Sequence, residues 1–194
     1  MKIGLFFGSF NPVHIGHMVI ANYMLEFTDL NQIWFVVSPH NPLKPKSSLL
    51  AAHHRLRLVR EAIGDNNKLK ASNIEFKLPQ PSYTINTLTY LKEKYPKNDF
   101  DLIVGSDNLQ TFHKWKNYEQ LLEQHELYVY PRSTKPQEPG ELVSHAKIKI
   151  VPAPVMEISS SFIREAIKNK KDVRYMIPEA VYGYIKEMHF YETG

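Results

Sequence analysis

Short apolar runs that stop at glycine or serine, each followed by a stretch of helical periodicity, limit most tightly what this chain can build. Residues 3–7 are apolar and branched or aromatic apart from Gly4, and end at Gly8, which predicts a buried strand. Pro12 prevents that strand from continuing. From Ile15 the spacing changes: Ile15, Val19, Tyr23 and Phe27 form one stripe with Met18, Ala21 and Leu25 beside it, the signature of a helix. The alternation then recurs. Residues 33–38 read as a strand, and 52–63 as a helix with Leu56, Val59 and Ile63 inward and Arg55, Arg57 and Arg60 between them. A weaker strand is expected over 70–76, then a helix over 84–95, capped by Thr84 and stopped by Pro96. Residues 100–105, 126–130 and 147–151 are further strands, and 117–124, 158–169 and 178–190 further helices. Consecutive parallel strands need crossover connections, so this order predicts an α/β fold, a mostly parallel sheet with helices on both faces. Residues 131–145, rich in proline and polar side chains, read as a long surface loop too short to separate two domains, so residues 1–194 are expected to form a single one.

The chemistry open to such a fold is narrowed by what the chain lacks. It has no cysteine, which removes thiol nucleophiles, disulfides and cysteine-held metals. No apolar run approaches the roughly 20 residues of a membrane span, and the first ten residues lack the pattern of a secretory signal. A cytoplasmic protein with no membrane partner is expected. A net charge of +4 suits an anionic ligand. The lysines are scattered rather than clustered, which favours a small phosphate ester over a nucleic acid.

Ligands of parallel sheets bind beyond the carboxyl ends of the strands, where Gly8, Ser38, Gly105 and Pro131 all fall. The first of these loops, GSFNPVHIGH (8–17), joins a strand to a helix start, which offers free N–H groups and a positive dipole end to a phosphate. His14 and His17 lie three apart there and can share a face. Such a pair can ligate a metal, satisfy a core, move protons or donate to phosphate oxygens. The last fits best beside a helix start, and no third metal ligand presents itself, so no metal ligands are assigned. Neither G-x-G-x-x-G nor G-x-x-x-x-G-K-[ST] occurs. Near the other end, ISSSFIR (158–164) places Ser159, Ser160 and Ser161 at a helix start and Arg164 one turn in, a second set of hydroxyl, backbone and cationic donors.

These two elements resemble the HxGH and ISxTxIR motifs of the nucleotidyltransferase superfamily. PSYTINTL (81–88), GSDNLQTFHKW (105–115) and RYMIPEAVYGYI (174–185) make the chain similar, over nearly its whole length, to the bacterial nicotinate-nucleotide adenylyltransferases. The resemblance implies a Rossmann-like domain in which a C-terminal segment, about 158–194, completes the ATP site. It implies adenylyl transfer from ATP with Mg2+ to nicotinate mononucleotide, by direct attack of the mononucleotide phosphate. Carried over by position, His14, His17 and Arg164 would be catalytic. Gly8, Ser9, Phe10, Gly105, Asp107, Ile158, Ser160 and Ser161 would join them in holding ATP. Lys44, Thr84, Trp115 and Arg132 would hold the mononucleotide, Thr84 by its amide and Trp115 by stacking from an exposed platform.

The chain departs from the family pattern in three places. Leu43 stands where histidine is usual, Lys116 where an aromatic residue often follows the tryptophan, and Asn11 where the turn often has aspartate. Two other acceptors, nicotinamide mononucleotide and phosphopantetheine, belong to related enzymes. A non-catalytic nucleotide-binding module on the same fold would be expected to have lost one of the two motifs, and both are intact.

Overall fold

The computed structural model describes residues 1–39, 49–133 and 141–192. Six strands form one parallel sheet in the order β3-β2-β1-β4-β5-β6. They are β1 Lys2–Gly8, β2 Gln32–Val37, β3 Leu69–Ser72, β4 Asp99–Gly105, β5 Leu127–Tyr130 and β6 Ile148–Ile150. Between and after them come α1 Ile15–Phe27, α2 Ala52–Ile63, α3 Thr84–Lys94, α4 Ser106–Gln110, α5 Tyr118–Gln124, α6 Ser160–Lys168 and α7 Glu179–Glu187.

The pleat sorts strand side chains to two cores. Phe6, Ile33, Phe35, Val37, Ile103 and Tyr128 pack with α1, α2, α6 and α7. Ile3, Leu5, Trp34, Val36, Leu102 and Val104 pack with α3, α4 and α5 on the other face. Both faces are covered, as the runs of apolar residues in the strands require.

Among the boundaries that move, two bear on the site. The third strand ends at Ser72, and residues Ile74–Lys77 form a 3-10 turn that carries Glu75 inward. Thr84 is the first residue of α3 rather than its cap; Tyr83 occupies the cap, and no side chain closes it.

The strand order reverses between β1 and β4, which start their connections in opposite directions and leave a crevice beyond their carboxyl ends. Gly8 and Gly105 end those two strands.

Candidate active site

The turn after β1 is built around a buried ring. Phe10, expected to line a nucleotide crevice, has a φ of 45° and a side chain only 1 % exposed. Its ring lies edge-on to Phe6 at 5.8 Å and to His17 at 5.1 Å. A Cβ on Gly8 would come within 2.8 Å of that ring, so glycine there makes room for Phe10. The Phe10 side chain thus braces the histidine from the core, which leaves only its backbone to line a nucleotide crevice.

His14 caps α1 and is 3 % exposed; its ring lies tilted at 35° to that of His17 with centroids 3.7 Å apart. The His14 amide donates to His17 Nδ1 at 3.2 Å, which leaves Nε2 of a neutral His17 as the N–H donor. His14 Nδ1 is buried without a hydrogen-bond partner. Burial, helped by the nearby Arg132 cation, pushes the His14 imidazole down to about 4. Gly16 lies between the two histidines in sequence because a Cβ would stand 3.0 Å from His14 Nδ1 and 3.3 Å from Met156 Cβ.

The second motif meets the first directly. Ser159 caps α6 by accepting from the Phe162 amide, and Ser160 Oγ donates to the Pro12 carbonyl at 2.8 Å. Arg164 donates through one nitrogen to the Asn11 carbonyl at 2.8 Å and through the other to Ser161 Oγ at 3.4 Å. Asn11 Oδ1 accepts from Tyr191 Oη at 2.8 Å and from the Leu50 amide at 3.2 Å. Ile158, just before the helix, packs against the core.

Arg55, read with Arg57 and Arg60 as lying between the apolar positions of α2, is wholly buried. It donates to the carbonyls of Ser9, Ser38, Pro39 and Leu50 at 2.6 to 2.9 Å, tying the loops after β1 and β2 together. Burial pulls its guanidinium down to about 10. The helical phase carried the signal, since Arg55 precedes the inward Val59 by four residues.

On the other side of Gly8 and Ser9 opens a cavity of about 310 Å³. Thr84 and Trp115 both line it, with Tyr83, Ser82, Lys114 and Lys116. Trp115 is half-buried rather than an exposed platform, its ring 4.9 Å from Phe112. Glu75 lines the cavity at 2 % exposure: one oxygen accepts from Thr87 Oγ1 at 2.9 Å, and the other has no partner. Burial raises its carboxyl, against the opposing pull of the Ser38, Thr87 and Ser82 hydroxyls. Neither Arg55 nor Glu75 was picked out as a site residue in the sequence.

A Cβ on Gly105 would stand 2.4 Å from Asp107 Oδ1 and 2.6 Å from Arg132 Cγ, so both side chains use the space that glycine leaves. Asp107 faces Arg132 Nε at 3.8 Å, so Arg132 sits with Asp107 and the histidines and is not on the wall of the cavity that holds Thr84 and Trp115. Lys44 and Leu43 lie outside the described residues. Among the described residues no three His, Asp or Glu side chains are grouped to hold a metal, and no helix is long and apolar enough to cross a membrane.

Comparison with known proteins shows the family. The cytidylyltransferase-like family model matches residues 5–166. A Flavobacterium johnsoniae protein named "Probable nicotinate-nucleotide adenylyltransferase" is 57 % identical over 192 residues, 99 % of this chain and 100 % of that one. A Christiangramia forsetii protein of the same name is 57 % identical over 191 residues, 98 % of each. Among solved structures, Plasmodium falciparum nicotinic acid mononucleotide adenylyltransferase complexed with NaAD superposes with a TM-score of 0.82. That match covers 100 % of this chain and 98 % of the other at 20 % identity, a likeness of fold. With sequence identity above half across nearly the full length of both relatives, the chain belongs to the cytidylyltransferase-like family, and within it to the nicotinate-nucleotide adenylyltransferases.

Proposed function

We propose that this protein transfers the adenylyl group of ATP to nicotinate mononucleotide, giving nicotinate adenine dinucleotide and pyrophosphate, as a cytoplasmic enzyme of NAD biosynthesis. The observation that carries this reading is a juxtaposition. A donor-rich turn, held by Ser160 and Arg164, and an aromatic-walled cavity lie on either side of Gly8 and Ser9. One suits a triphosphate and the other a planar ring, with the reacting phosphates between them.

In this reading an oxygen of the mononucleotide phosphate attacks the α-phosphorus in line, and the bond from that phosphorus to the β-phosphate bridging oxygen breaks. Pyrophosphate leaves, and no enzyme-bound intermediate forms. The nucleophile is already charged at neutral pH, so the protein contributes positioning and charge stabilisation. His17 Nε2–H and the start of α1 meet the phosphates, with His14 behind. Ser160, Ser161 and Arg164 complete the ATP site from α6, where Ile158 adds an apolar contact. Asp107, beside Gly105, accepts from ribose hydroxyls. Thr84, at the open N-terminus of α3, offers its amide to the ring substituent, and Trp115 stacks on the ring. Lys44 and Arg132 serve the mononucleotide phosphate.

Mg2+ is assigned as entering with ATP, because the described residues group no three side chains to hold it and its coordination favours phosphate oxygens and water. When bound it neutralises triphosphate charge.

Pyrophosphate release is the test, measured with ATP and nicotinate mononucleotide, nicotinamide mononucleotide or phosphopantetheine in turn. Release fastest with nicotinate mononucleotide is expected; none with any acceptor sinks the enzyme reading, and a preference for phosphopantetheine moves the substrate.

A further inference from the structure

The cavity beside Gly8 is electrostatically one-sided. Its wall carries two cations, Lys114 and Lys116, which flank Trp115 in sequence and line the cavity with it. Lys116 is not swinging free: its ammonium lies 4.6 Å from the centre of the Tyr83 ring, itself part of the wall. The start of α3 at Thr84 adds the positive end of a helix dipole, with no side chain closing it. Against these stands a single carboxyl among the described lining residues, Glu75. It is only 2 % exposed, and burial disfavours its charged form. A ring entering this cavity therefore meets positive charge on the wall and no fully solvated carboxylate.

We propose that Lys116, aided by Lys114, is a specificity-determining residue that makes this enzyme favour a pyridine ring bearing a carboxylate over one bearing a carboxamide. The inference rests on the adenylyl-transfer reading above and deepens it. The two rings have nearly the same shape, so van der Waals fit separates them poorly. A carboxylate can accept charge-assisted bonds from an ammonium, whereas a carboxamide turns neutral donors toward it on one of its two sides.

The test compares kcat and KM for nicotinate mononucleotide and nicotinamide mononucleotide in the unaltered enzyme and in Lys116→Gln, Lys116→Arg and Lys114→Gln. Lys116→Gln is expected to lower kcat/KM for nicotinate mononucleotide about tenfold, the scale of one charge-assisted hydrogen bond, through KM rather than kcat. The loss with nicotinamide mononucleotide should be far smaller. Lys116→Arg should restore most of the preference, and raising the salt should weaken it in the unaltered enzyme but not in Lys116→Gln. A preference ratio unchanged in both glutamine variants overturns the proposal. So does a shift produced by Glu75→Gln and by neither lysine variant, which would move selection to that carboxyl. An unaltered enzyme that uses neither mononucleotide fails at the adenylyl-transfer reading itself, an outcome distinct from either of these.

Discussion

His14 shows how a residue can be legible in kind and illegible in state. Its place beside a helix start was plain from the sequence; its burial, tilted over His17 with Nδ1 unbonded, was not, because both depend on Phe10 packing against His17 and on the bare Gly16 beside the His14 ring. That burial has a consequence for acid stability. The folded imidazole titrates at about 4 and the unfolded one at its usual 6.5, so below pH 6.5 the unfolded chain takes up the proton first. The contribution is complete above pH 6.5 and is lost as the pH falls toward 4. Between pH 7 and 4.5 it amounts to about 2 kcal/mol by linkage. Urea unfolding at both pH values should therefore show His14→Gln losing less stability than the unaltered protein, by about that amount; equal losses would show that His14 is not the group responsible. Glu75 is the opposite case: flanked by Ile74 and Phe76, it reads as the outward position of a strand, and only the early end of β3 turns it inward.

Among elements, α2 departs furthest from its sequence reading. Leu56 and Val59 are buried as expected, and Arg57 is on the surface, 4.1 Å from the Tyr184 ring. Arg55 looks equivalent to Arg57 by composition alone but faces the sheet, where four carbonyls with no other described role in a ladder receive it. No carboxylate pairs with it in these bonds, so its cost of burial is met by carbonyl dipoles. Arg55→Met would relieve that cost but strand the carbonyls of Ser9, Ser38, Pro39 and Leu50. The expected net loss is about 3 kcal/mol, against less than about 1 kcal/mol for Arg57→Met at the surface. Paired denaturation midpoints check the contrast, and similar midpoints would contradict the assignment of Arg55 as the tie between the two loops. The strands that were clearest in the sequence, β1, β2 and β4, are the central ones buried on both faces. The short β3 at the sheet edge was misjudged in length, as expected where fewer buried contacts fix the end of an element.

For the molecule as a whole, alternation of strands and helices made the α/β fold and its parallel sheet readable, while the meeting of the C-terminal segment with the N-terminal turn was implied by the resemblance alone. No local pattern encodes the Ser160–Pro12 and Arg164–Asn11 bonds; they arise only when α6 and α7 pack beside α1 and α2. That packing buries Val173, Ile177, Val181, Tyr184 and Ile185, all at 5 % exposure or less. Their burial is worth about 8–10 kcal/mol, comparable with the entire stability of an ordinary domain. A chain ending at Lys171 should accordingly lack a cooperative unfolding transition and a near-ultraviolet circular dichroism signal; a sharp transition would mean the remaining 171 residues fold alone. The same contacts carry a meaning in time. Ser160 follows Pro12 by 148 residues, a stretch that a ribosome adds in roughly 7–30 s at about 5–20 residues per second. The turn that opens the chain thus emerges long before its clamp, and in a growing polypeptide it stays without the Ser160 and Arg164 bonds until synthesis is nearly over.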